Sequence, residues 1–135
     1  MSDPRTIEMT LNADAAISKN HIVKLVSPGA ASYEPGSGYV EQSAAAGSTN
    51  IPFGVAHIAA AAADDPVRVV AFGEAYIMAG GTFAPGDPLK SDSSGHAVKA
   101  TSTGQNIVGF ALQDGASGKV SKMFVRPQLN ATVPA

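Results

Sequence analysis

Between Thr6 and Leu11 the chain alternates: Ile7, Met9 and Leu11 fall on one face, Thr6, Glu8 and Thr10 on the other. A period of two predicts a half-buried strand with the first set inward. Short apolar runs bounded by Gly, Pro, Asn, Asp and Ser repeat from there to residue 127, the mark of strands joined by tight turns. His21–Val26 and Tyr39–Gln42 read as strands, as does Pro52–Ile58 with Phe53 and Val55 on one face. Val67–Phe72 reads as a buried strand that continues past a kink at Gly73 into Glu74–Ala79. Leu89–Ser91 and His96–Ala100 form a hairpin about the Asp92–Gly95 turn. Asn106–Gln113 and Lys119–Pro127 complete the series. Ser27–Gly38 and Ser43–Asn50 are long loops. The run Ala59–Ala63 is open between a helical turn and an irregular loop: Ala favours helix, but five residues cannot hold one alone. The pattern predicts an all-β fold, a compact sandwich or small barrel of short antiparallel strands with long loops and little helix.

The two halves echo each other. Asn50–Ala56 aligns with Asn106–Ala111 with one residue of slippage, and His21–Lys24 with Pro88–Lys90. Gly38–Val40 aligns with Gly95–Val98, and Val67–Phe72 with Val120–Val125. The expected organisation is a flexible arm at 1–5, one β domain at 6–127 with a possible pseudo-repeat of 6–72 and 73–127, and an extended tail at 128–135.

Composition sharpens this picture. A chain of 135 residues buries roughly two-thirds of its unfolded surface, so a core without disulfides is feasible. There is no cysteine, which removes thiolate chemistry and cysteine-ligated zinc. Hydrophobic residues make up 44%, yet Trp is absent and Phe and Tyr number five and three; the core is slim and Ala-rich. Such a core is easier to understand if assembly completes the burial. Residues 1–78 hold four Lys/Arg against eight Asp/Glu, and residues 79–135 hold five against three. Neither half has the basic stripe or stacking aromatics of a nucleic-acid binder. No apolar run has the length of a membrane span, and Met1–Arg5 lacks the apolar core of a signal peptide.

Catalytic patterns are missing. His21, His57 and His96 are not in metal-ligand spacing. Asp64, Asp65, Asp87 and Asp92 lie beside turn residues, without calcium-loop spacing. No Gly-x-Ser-x-Gly elbow occurs, and Gly80, Gly81 and Gly86 are not followed by the Lys-Ser/Thr and helix of a phosphate loop. The reading is a non-enzyme with no cofactor and no metal.

The second half carries a further signal: the apolar strand Tyr76–Ala79, then Pro85-Gly86-Asp87-Pro88-Leu89, then Ser91-Asp92-Ser93-Ser94-Gly95-His96-Ala97-Val98. Ile107-Val108-Gly109-Phe110-Ala111 and the closing strand Lys119–Val125 follow. This series resembles the small decoration, or cement, proteins of tailed-bacteriophage heads. The likeness is good over 73–126 and looser over 6–72; the Ser27–Gly38 and Ala59–Ala63 segments depart from it. The resemblance implies a structural protein on the outer surface of the virion, made in the host cytoplasm. Its implied partners are the major capsid protein and itself, as a homotrimer by preference or a homodimer. It would staple neighbouring capsid subunits and stabilise the expanded shell. Arg5, Tyr33, Tyr39 and Phe83 are the candidate protein contacts, Tyr33 because an amphipathic ring on a long loop suits an interface. The competing class is a small ligand- or carbohydrate-binding β module, which would need the aromatic platform this chain lacks.

Overall fold

The computed structural model describes residues 6–26, 38–43, 52–63, 65–101 and 106–128. Among these residues there is no helix. Nine strands form: β1 (Ile7–Ala13), β2 (Ile22–Val26), β3 (Tyr39–Gln42), β4 (Pro52–Ala56), β5 (Pro66–Met78), β6 (Pro88–Ser91), β7 (Ala97–Lys99), β8 (Ile107–Ala111) and β9 (Val120–Gln128). The fold is all-β, as the alternation predicts, and the strands close into small barrels.

The first closed ring is β1-β3-β2-β4-β5-β1. β1 pairs antiparallel with the first half of β5 and parallel with β3, while β2 pairs antiparallel with β3 and β4. β4 returns to β5, with Val55 opposite Val70. The second ring repeats the scheme. The second half of β5 pairs with β9, β9 with β8, β8 with β6 and β6 with β7. A parallel bridge between Ala79 and Ala97 closes it. β5 is thus the last strand of the first barrel and the first strand of the second. Gly73, at φ 113°, marks the change of role, in a region where a side chain would be strained.

The equivalence extends to single hydrogen bonds. Ile17 and Ala60 exchange backbone bonds at 2.8 and 2.9 Å; Phe83 and Gly115 exchange theirs at 3.3 and 2.9 Å. The Asn20 N–H donates to the Ala56 carbonyl and the Gly86 N–H to that of Ala111. Asn20 (φ 63°) is the only non-glycine residue with positive φ among those described, and its counterpart Gly86 has φ 89°. The register differs by one residue from two of the sequence alignments. Gly54 and Ala56 match Gly109 and Ala111 without slippage. Arg68, not Val69, matches Lys122: the His57 N–H bonds the Arg68 carbonyl as the Leu112 N–H bonds that of Lys122.

Each barrel has its own filling. Ala13, Ile17, Val23, Val40, Ala56, Ala60, Val67 and Val69 pack inside the first, with Leu11 and Phe53 against them. The second core contains Ile77, Phe83, Leu89, Val108 and Met123, and it also takes in Ile22, Val55 and Val70 from the first barrel's outer wall. These three form the seam between the barrels. The Ile22 N–H donates to the Gly95 carbonyl at 2.8 Å, and the Met78 N–H to that of Asn20 at 2.8 Å. Gln42 accepts from the Ser18 N–H at 3.1 Å and donates to the Ser94 carbonyl at 2.9 Å. The His21 and His96 rings meet edge-to-face at 4.6 Å.

The structure corrects two expectations and settles a third that the sequence left open. The Ile7–Met9–Leu11 face is not uniformly buried: Leu11 packs on the core, but Ile7 is 56% and Met9 44% exposed. Their counterparts Gly73 and Ala75 lie against the first barrel, whereas no described element covers Ile7 and Met9. Phe53 and Val55 do not share a face: Phe53 joins the first core and Val55 the seam. A register irregularity between β2 and β4, at Val23/Lys24, breaks the alternation there, as bulges do. The Ala59–Ala63 run is irregular, pinned by the Ile17–Ala60 bridge. The arm 1–5, residues 27–37 of the long loop, residues 44–50 and the tail beyond Gln128 lie outside the described residues.

Candidate contact groove at the crossing of β5

Where β5 passes from one barrel to the other, its even-numbered side chains line an open groove. Arg68, Val70, Glu74 and Tyr76 contribute from β5, and Lys122 from β9. Thr6, Ile7 and Glu8 form one bank, and His57, just past β4, stands over it. The groove encloses about 590 Å³. Strand alternation accounts for Arg68, Val70, Glu74 and Tyr76, which share a face that β5 is long enough to present across both rings; Ala75, of the opposite parity, also lines the groove.

Two equivalent ion pairs sit in it. Arg68 Nη2 is 3.3 Å from Glu8 Oε2, and His57 Nδ1 lies 3.7 Å from Glu8 Oε1. In the second barrel Lys122 Nζ is 3.8 Å from Glu74 Oε1. Glu8 and Glu74 stand at matching positions, opposite Val70 and Phe124. These are partly exposed pairs, each worth at most about 1 kcal/mol; they set polarity more than stability. Between them Ile7 and Tyr76, 56% and 58% exposed, offer apolar surface. The groove combines charge of both signs with an exposed aromatic ring. Both carboxylates already face a cation, and no cluster suited to a metal ion occurs among the described residues.

Two of the predicted contact residues, Tyr39 and Phe83, fall elsewhere. Tyr39 and Phe83 are each 3% exposed. Tyr39 sits in β3, opposite Asn12 and Val26, and the Phe83 ring packs on Gly115. Both are interior side chains with almost no surface to offer a partner. Arg5 and Tyr33 lie outside the described residues. The groove residues were missed because the charged ones read as ordinary polar faces of strands. The signal that could have found them is the internal echo, but only after the one-residue correction that puts Arg68 with Lys122 and an extension to β1 that puts Glu8 with Glu74.

Comparison with known proteins adds the family. The chain has the fold of the N base of the head fibre gp8.5 of bacteriophage phi29, with a TM-score of 0.68 and 17% identity over 96% of this chain and 99% of that one. Curated proteins give no match. The family model described as phage cement protein matches residues 1–127, nearly the whole chain. The role is therefore structural and associated with the phage capsid, and the chain belongs to the family of phage cement proteins.

Proposed function

We propose that this protein decorates the outer surface of a phage head and staples neighbouring major-capsid subunits, stabilising the expanded shell. The match to the cement family across residues 1–127 carries this reading. The chemistry of the molecule supports it: its exposed large apolar residues include Ile7, Met9, Leu25, Ile58, Phe72, Tyr76, Leu112 and Val120, an ample supply of surface for a partner to cover. The groove at the β5 crossing is the proposed seat for a capsid segment, with Tyr76 as anchor and the Glu8–Arg68 and Glu74–Lys122 pairs fixing its orientation. Self-association, with a trimer favoured, would make attachment multivalent, so that modest contacts hold firmly. The arm at 1–5 would add to a neighbouring sheet edge.

The test is addition of purified protein to expanded empty heads that lack it. Stoichiometric binding at regular lattice positions, with heads that resist heat or chelator better, is the expected result. Absence of binding to heads of the cognate phage overturns the proposal. Tyr76→Ala is expected to weaken binding without altering thermal unfolding; unchanged occupancy removes the groove from the contact.

A further inference from the structure

The two ion pairs of the groove stand at matching positions, yet they present opposite signs to it. At the first, the cations are outermost. Arg68 and His57 are each 52% exposed, and the Glu8 side chain they share is 23% exposed. Glu8 turns Oε2 to Arg68 and Oε1 to His57, so the guanidinium is the charge a partner meets. At the second pair the order is reversed: Glu74 is 51% exposed and its cation Lys122 34%. The backbone places both carboxylates alike, so the difference lies in the neighbours. His57 stands over Glu8, whereas its counterpart over the second pair is Leu112, by the equivalent bonds to the carbonyls of Arg68 and Lys122. The rings differ too. Tyr76 lies opposite Lys122 where Thr10 lies opposite Arg68. Tyr76 shares the exposed face of β5 with Glu74, and a carboxylate beside an aromatic face suits a guanidinium or ammonium group. Ile7, opposite Phe72, is the exposed apolar residue between the two ends.

We propose that the segment seated here is an extended stretch of one polarity: an Asp or Glu over Arg68 and His57, an apolar side chain on Ile7, and a Lys or Arg held by Glu74 and Tyr76. The inference rests on the groove as the seat of a capsid segment and adds that segment's chemistry and direction. A strand rises about 3.3 Å per residue, so Arg68 and Glu74 are roughly 20 Å apart along β5 and the partner's two charges about six residues apart. Laid the other way, the segment would bring like charges together at both ends, which selects one direction.

Equilibrium binding of the full chain to purified expanded heads that lack it reads the two ends separately. Arg68→Gln and Glu74→Gln are each expected to raise the dissociation constant about fivefold or more. Glu8→Gln and Lys122→Gln are expected to do the reverse, lowering it about twofold, because each frees the outer charge from its neighbour. Arg68→Lys keeps the charge and is expected to bind within about threefold of the wild type, which separates loss of charge from damage to the strand. If thermal unfolding shows that a glutamine variant is not folded, two exchanges repeat the test. Glu8→Arg with Arg68→Glu, and Glu74→Lys with Lys122→Glu, keep each pair and turn its polarity round; each is expected to weaken binding about tenfold or more. Glu8→Gln weakening binding as Arg68→Gln does, or exchanged pairs that bind like the wild type, overturn the proposed polarity while Tyr76→Ala still weakens binding and keeps the groove in the contact. Unchanged binding in Tyr76→Ala and all four glutamine variants overturns the polarity and the groove together.

Discussion

Ile17 faces Ala60 in the first barrel; Phe83 faces Gly115 in the second. The hydrogen-bonded bridge is the same in both, but the volume is divided differently: a branched chain against a methyl group in one, an aromatic ring against a bare α-carbon in the other. A Cβ on Gly115 would collide with the Phe83 ring. The fold therefore fixes the pairing and the combined volume of the two positions, and leaves their partition free. Surface chemistry has diverged further. The wall that is Ile22, Val55 and Val70 at the seam becomes Pro88, Phe110 and Phe124 in the second barrel, where Phe110 packs on Ala100 and Ile107 and Phe124 meets Phe72. The two barrels teach which features belong to the fold and which to its place in an assembly.

Substitutions at matched positions can break that comparison. Gly54 and Gly109 approach the next strand so closely that a Cβ would strike the Val70 carbonyl oxygen in one barrel and that of Phe124 in the other. Gly54→Ala and Gly109→Ala should each cost about 2–3 kcal/mol by forcing backbone apart. Chemical denaturation measures both, and a large effect in one barrel only would deny their equivalence. Gly115→Ala should cost about 1–2 kcal/mol, and Phe83→Ile in the same chain should recover much of that, as in the first barrel. A double-mutant cycle that shows no coupling would deny that volume is shared between the positions.

Smaller effects sharpen the contrast. Ser43 is buried with its Oγ unpartnered among the described residues, and its counterpart in the second barrel is Ala100. Ser43→Ala should stabilise the protein by about 0.5–1 kcal/mol, by removing a hydroxyl that lacks a partner. A loss of stability would show that the hydroxyl has a role at the seam that the second barrel does without. Last, Glu8→Gln and Glu74→Gln should each change stability by less than about 0.5 kcal/mol. Measurement in low and high salt should reveal the same small slope for both pairs.

Strand positions were legible because short runs with period two, cut by Asp-Ser-Ser-Gly, Ala-Pro-Gly-Asp and similar turns, are local signals. Tyr39–Gln42 and the Asp92–Gly95 hairpin came out where the pattern put them. Closure into two rings was not legible, because it depends on pairings between distant segments, such as Asn12 with Tyr39 and Ala79 with Ala97. The exposure of Ile7 and Met9 was hidden for a related reason: alternation reports that a strand has an apolar face, not what covers that face. Phe83 looked like a surface anchor because Gly115, which makes room for its ring, lies far along the chain. The echo between halves was the most useful long-range signal, and its one-residue errors came from gaps that only the hydrogen bonds could place.

β5 belongs to both barrels along its 13 residues, with no linker between its two halves. Relative motion of the barrels must therefore bend or shear a paired strand, where a flexible hinge would have yielded freely. A load pulling the barrels apart along β5 acts on many inter-strand hydrogen bonds at once, in parallel rather than one after another. In the proposed role of bracing a shell under outward pressure, the shared strand would make two small barrels a single tension member.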